Sequence, residues 1–232
     1  MTSNTEESPS NTEESPSIPI ITRDIIDDVS KETLSKYTKA CIFGKGPTFR
    51  VLDKSEHPDT FFICVNDTIA HLDQCDMFAL NDIEIAQRQK NEHFSKCDFI
   101  LVPNFPHRDY HCPRNIRYSN VVDIVKPAFK GSVIVYNLST APNDKTYIDL
   151  DTAMSTSHNA LDFVCKHCKN VTHIDFYGVA KGVKKVKNDD DTDFAFYKGH
   201  ESVENTHQRH RDLYEQTIKV ICNKFEKTYT LH

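Results

Sequence analysis

The sequence predicts an α/β domain built on a Rossmann-like, mostly parallel sheet with helices on both faces, and three observations carry that expectation. Six apolar runs of strand length recur along the chain, at 40–43, 61–65, 77–80, 99–102, 133–136 and 174–177. Within each run the apolar residues are continuous rather than alternating, the pattern of strands covered on both faces. Helical periodicity falls between or after several of them, notably over 152–169 and 203–225.

The elements follow in order. Residues 3–16 are one heptapeptide, SNTEESP, written twice. Ser, Thr, Glu and Pro without an apolar period bury too little surface to offset the entropy of ordering, so 1–17 is expected to be a disordered acidic tail. Residues 18–232 then form a single domain, and the 38% hydrophobic content of the 232-residue chain supplies its core. Over 23–37 apolar residues stand at 25, 26, 29, 34 and 37, close to helical spacing. The first strand is expected at 40–43. Segment 103–130 carries four prolines and little period; it reads as a long connector, either a binding loop or an irregular excursion.

Charge and cysteine usage narrow the class. The net charge of −6 includes Glu6, Glu7, Glu13 and Glu14 of the tail, leaving −2 for the body. A near-neutral body has no electrostatic footprint for nucleic acid. The basic cluster KGVKKVK at 181–187 is followed at once by Asp189, Asp190 and Asp191, as in a solvated loop. No stretch approaches the length of a membrane span, and the N-terminus lacks a basic and an apolar signal region, so the expected location is cytoplasmic. Eight cysteines (Cys41, Cys64, Cys75, Cys97, Cys112, Cys165, Cys168 and Cys222) are spread through the chain and are expected to be reduced.

Four stretches are candidates for chemistry. Gly44-Lys45-Gly46-Pro47-Thr48 follows the first apolar run, where glycines allow close approach of backbone to a ligand and Thr48 suits a helix start. It is neither a dinucleotide fingerprint nor a P-loop, and a plain tight turn is the alternative. Asn66 and Asn81 close the second and third runs, at the strand ends where open α/β sheets bind ligands; Asx turns are the alternative use. Ser155-Thr156-Ser157-His158-Asn159 opens a helix, as cap or as phosphate ligand. Residues 194–210, FAFYKGHESVENTHQRH, carry His200, His207 and His210. His200 follows Gly199 beside Glu201 and Glu204, as a general base could, whereas His207 and His210 read as surface residues. Cys165 and Cys168, with His173, have C-x-x-C spacing but fall in a helical pattern without a second ligand pair, and the loop set His107, Asp109, His111 and Cys112 is equally weak; no metal site is expected.

Taken in order, GKGPT, VND, a strand ending in Asn, STSHNAL, a strand closing on YGV, and YKGHESVENT resemble the bacterial lipooligosaccharide sialyltransferases over 40–225. The resemblance implies a metal-independent, inverting transfer from a CMP-type nucleotide sugar to a glycan acceptor. It implies that Gly44, Lys45, Gly46, Pro47 and Thr48 lie against phosphate and ribose. It implies that Asn66 and Asn81 hold the nucleotide and that Thr156 and Ser157 face its base and ribose. His200 is then the general base, and Lys184, Lys185 or Tyr197 could substitute for the tyrosines that help the leaving phosphate in the family. Two departures stand out: His158 replaces a glycine of the family's helix start, and Gly178-Val179-Ala180-Lys181 lacks the acid and tyrosines that follow the family's last strand. Two other readings stay open: a magnesium-dependent nucleotide transferase resembling a pterin pyrophosphokinase, and a catalytically silent nucleotide- or glycan-binding module.

Overall fold

Side chains of a strand point alternately to opposite faces, so each continuous apolar run must be covered twice. The computed structural model describes residues 17–46, 48–108, 111, 113–138, 143–151, 155–179 and 214–232. Among these residues nine strands form one sheet: β1 (Ile20–Ile21), β2 (Lys39–Phe43), β3 (Thr60–Val65), β4 (Met77–Ala79), β5 (Phe99–Pro103), β6 (Ser132–Asn137), β7 (Ile148–Asp149), β8 (His173–Tyr177) and β9 (Thr228–Leu231). Every pairing is parallel. The helices are α1 (Ile26–Glu32), α2 (Ile83–Arg88), α3 (Asn91–Phe94), α4 (Tyr118–Val125), α5 (Thr156–His167) and α6, helical over 214–224. This is a Rossmann-like single α/β domain.

The alternation divides the core in two. Ala40, Ile42, Phe61, Ile63, Val65, Met77, Leu101, Ile134, Ile174 and Phe176 face one way and pack with α1, α5 and α6 through Ile26, Leu161, Val164, Ile218 and Cys222. Cys41, Phe43, Phe62, Cys64, Phe78, Ile100, Val102, Val133 and Val135 face the other way, against Ile83, Ala86, Phe94, Val121 and Val125 of α2, α3 and α4. At the amino ends of the central strands, Asp76 is buried and accepts from Tyr37 Oη at 2.7 Å, Lys54 Nζ at 2.6 Å and Phe62 N at 2.7 Å. A carboxylate with that many donors pins β3 to β4 at the end opposite the strands' carboxyl ends.

All six apolar runs are strands, and three further strands were not expected. β1 precedes the strand taken as first and pairs with β6 at the far edge, and β7 pairs with β6 further along. Two residues are too few to display a period. β9, with sequence TYTL, alternates in burial because it is an edge strand beside β8. Segment 103–130 is not an irregular connector throughout: α4 lies within it, burying Val121 and Val125. The opening helix is shorter than its apolar pattern, closing at Glu32 before a 3-10 turn over Leu34–Lys36. The tail repeat lies outside the described residues.

Sheet order is β1, β6, β5, β4, β3, β2, β8, β9. From β2 the chain steps outward through β3, β4, β5 and β6; α5 then carries it back across to β8, on the other side of β2. The connections diverge between β2 and β8, and the carboxyl ends there form the crevice where such sheets bind ligands.

Candidate functional site

The loops leaving β2 and β8 lock together at this switch point. Gly44 N donates to Tyr177 O at 2.8 Å, Gly46 N donates to Gly178 O at 2.6 Å, and Gly178 N donates to Thr48 Oγ1 at 3.0 Å. Gly178 has φ +65, and a Cβ on it would overlap the Gly44 carbonyl; a Cβ on Gly44 would come 2.6 Å from Gly178 O. The glycines at 44 and 46 therefore let two loops meet, and their amides serve that junction. Lys45 reaches across to Asp67 in the turn after β3, and Arg88 Nε holds the same carboxylate at 2.7 Å. Burial, then the Arg88 guanidinium, draws the Lys45 ammonium down to about 7, while contact with Asp67 favours its charged form.

Asparagines end four adjacent strands. Asn66 follows β3, with φ 58 and a buried Oδ1 that has no partner. Its turn is tied to β2 by Thr68 Oγ1, which lies 3.0 Å from Phe43 O. Asn81, after β4, accepts from Tyr136 Oη and, at 3.1 Å, from Asn159 Nδ2. Its amide oxygen is thus engaged inside the protein. Asn159 Nδ2 also donates to Tyr136 Oη at 2.9 Å, and Asn159 Oδ1 is buried without a partner. Asn104 follows β5, and Asn137 closes β6. Asn137 Nδ2 donates to Asp149 Oδ1 at 2.8 Å and its Oδ1 accepts from Asp144 N at 3.1 Å, shaping the loop before β7. Beside Asn81, burial raises the Asp82 carboxyl, with His107 Nδ1 at 3.8 Å pulling the other way. Of these strand-end asparagines, Asn104 and Asn137 escaped the sequence reading, although each also closes an apolar run.

The helix start behind this edge is a cap. Ser155 Oγ accepts from His158 N at 3.3 Å and lies 3.0 Å from Ser157 Oγ. Ser157 Oγ contacts Tyr214 Oη, so its hydroxyl turns toward α6; Thr156 is likewise buried. The His158 ring is buried against Tyr214, with ring centroids 4.0 Å apart and Nδ1 at 2.9 Å from Ser155 Oγ. It therefore fills the α5–α6 contact and does not project from the helix start. The Asn159 bonds to Asn81 and Tyr136 dock this first turn under the carboxyl ends of β4 and β6.

The expected residues thus share one edge but not one function. Gly44, Lys45, Gly46 and Thr48 sit at β2, Asn66 at β3, Asn81 at β4, and Thr156 and Ser157 at α5, while the hydroxyl of Ser157 and the amide oxygen of Asn81 face inward. Pro47, Tyr197, His200, Cys112 and Asp109 lie outside the described residues. Comparison of the chain with family models, curated proteins and solved structures finds no match. Among the described residues no cluster of His, Cys, Asp or Glu is arranged to hold a metal ion. Cys165 on α5 and Cys168 just after it are buried packing residues, and the seven described cysteines are free thiols.

Proposed function

We propose that the chain is a metal-independent, inverting glycosyltransferase that moves a sugar from a CMP-type nucleotide sugar to a glycan hydroxyl. One observation supports it most: Asn66 Oδ1, in the turn after β3, and Asn159 Oδ1, under the carboxyl ends of β4 and β6, are buried acceptors with no donor. A buried amide oxygen without a partner costs about 1–3 kcal/mol, so such an atom marks a place where a donor is expected to arrive. Cytosine supplies an exocyclic amine and ribose supplies hydroxyls, and both are donors of that kind. Thr48 accepts from Gly178 N through its oxygen and keeps its hydroxyl hydrogen for a phosphate oxygen.

In the reaction the acceptor hydroxyl oxygen attacks the anomeric carbon, the bond from that carbon to the phosphate oxygen breaks, and CMP departs with the electron pair. His200 takes the hydroxyl proton, and Tyr197 donates a hydrogen bond to the departing phosphate. These two roles rest on the motif YKGHES and its likeness to the sialyltransferases. A cytoplasmic site of action accompanies this reading; no described helix is long and apolar enough to cross a membrane. The rival is a silent binding module, favoured by the loss of the tyrosines that follow the family's last strand, where this chain reads Gly178-Val179-Ala180-Lys181.

The test is turnover of CMP-linked sugar with EDTA present. Transfer should persist in EDTA, and His200→Gln should lower it by about 10²–10⁴-fold while nucleotide affinity holds. Strict magnesium dependence would favour a nucleotide transferase of the pyrophosphokinase kind. Tight CMP binding without turnover would favour the silent module.

A further inference from the structure

The geometry points to a separate subsite for an acidic sugar at the carboxyl ends of β5 and β6. A cleft of about 290 Å³ opens there, lined by Asn104, Phe105, Arg117, Asn143, Asp144 and Lys145. It stands three strands from β2, roughly 14 Å at ordinary interstrand spacing.

Asn104 is 1% exposed, and neither Nδ2 nor Oδ1 has a partner. Its backbone is fixed on both sides: the amide donates to Tyr136 O at 2.7 Å, and the carbonyl accepts from Tyr118 N at 3.0 Å at the start of α4. A side chain so firmly anchored, with donor and acceptor both unmet, is built for a group that offers the complementary pair. Two ring hydroxyls, or one hydroxyl acting both ways, meet that demand, whereas an anion can satisfy only the donor half.

The rim supplies the charge. The Arg117 guanidinium lies 4.5 Å from the Phe105 ring centroid, which orients it over the floor of the cleft. Neither Arg117 nor Lys145 forms a salt bridge among the described residues. Asp144 is the one opposing charge in the lining, and its carboxylate accepts from Thr146 N at 3.0 Å within its own turn. Two cations against one carboxylate leave the rim positive and suited to a single carboxylate or phosphate. An anion at the rim and hydroxyls at the floor together describe a sugar acid or sugar phosphate. If the transferase reading of the preceding subsection holds, this cleft receives the acceptor.

Ligand-observed NMR on the full chain tests this with glucuronate, glucose 6-phosphate and glucose. Glucuronate or glucose 6-phosphate should bind at least about tenfold more tightly than glucose, and the Arg117→Gln/Lys145→Gln double variant should abolish that preference. Asn104→Leu should weaken the acidic sugar while leaving the melting temperature equal or higher, because a buried unpaired amide is removed. Equal binding of glucose and the acids, no binding of any, or unchanged affinity in the double variant would overturn the subsite. Unchanged affinity in Asn104→Leu would overturn the role of its amide. A parallel CMP titration separates the two readings: acid-sugar binding without CMP binding defeats only the transferase, and the reverse defeats only this subsite.

Discussion

Gly178 carries more of the site than its size implies. It has a positive φ, and its carbonyl and amide bond both the glycine turn and Thr48. Gly178→Ala should cost at least about 2 kcal/mol in urea unfolding, since an alanine would meet both a left-handed backbone and the Gly44 carbonyl. An unchanged midpoint would mean that the two loops do not interlock. Asn66 invites the opposite experiment. Its φ of 58 suits glycine, and its Oδ1 makes no bond inside the protein. Asn66→Gly should therefore leave stability within about 0.5 kcal/mol and still weaken CMP binding, and a large loss of stability would assign the side chain to the fold instead. Asn81→Ala differs from both, since it removes the acceptor of the buried Tyr136 hydroxyl hydrogen and leaves Tyr136 Oη and Asn159 Nδ2 only each other; a loss of about 1–3 kcal/mol is expected by the same measurement.

At the scale of elements, α5 joins the site to the sheet and carries a pH signature. Burial pushes the His167 ring down to about 4, and Lys166 adds to the shift. The ring is neutral in the folded chain, whereas the unfolded ring titrates near 6.5. Its contribution to stability is complete above about pH 6.5 and is lost as pH falls toward 4, because only the unfolded state then takes up the proton. The loss should reach about 1–2 kcal/mol once solvent screening of the partly exposed ring is allowed for. Asp162, raised by burial, acts in the opposite sense. Comparing urea stability of wild type and His167→Gln between pH 7 and 4 isolates the histidine: the difference should shrink on acidification, and a constant difference would contradict it. How legible these elements were depends on burial. Strands covered on both faces announced themselves as apolar runs, and α5 was visible because its helical period continues from Ala160 through Cys165. β1 and β7 span two residues each, and α4 buries only Val121 and Val125, so neither length nor period exposed them.

For the whole molecule, the strand order converts scattered motifs into one edge. GKG, VND and LND are far apart in sequence, and parallel pairing of β2, β3 and β4 in register brings their ends side by side. That much follows from the rule that such sheets bind ligands at their carboxyl ends. Nothing in the sequence told which polar atoms would be engaged: Asn81 and Ser157 turn inward because Tyr136, Asn159 and Tyr214 come from distant elements. Asn104 ends β5 in a segment whose prolines hid the helix that follows.

The central claim is that this edge holds a cytidine nucleotide, and calorimetric titration of the purified chain with CMP, UDP, GDP and ATP in EDTA tests it most directly. CMP should bind at least about tenfold more tightly than the other three, since the unpartnered acceptors at Asn66 and Asn159 match cytosine's exocyclic amine and the ribose hydroxyls. Binding of none of the four, or ATP binding that requires magnesium and exceeds that of CMP, would contradict it.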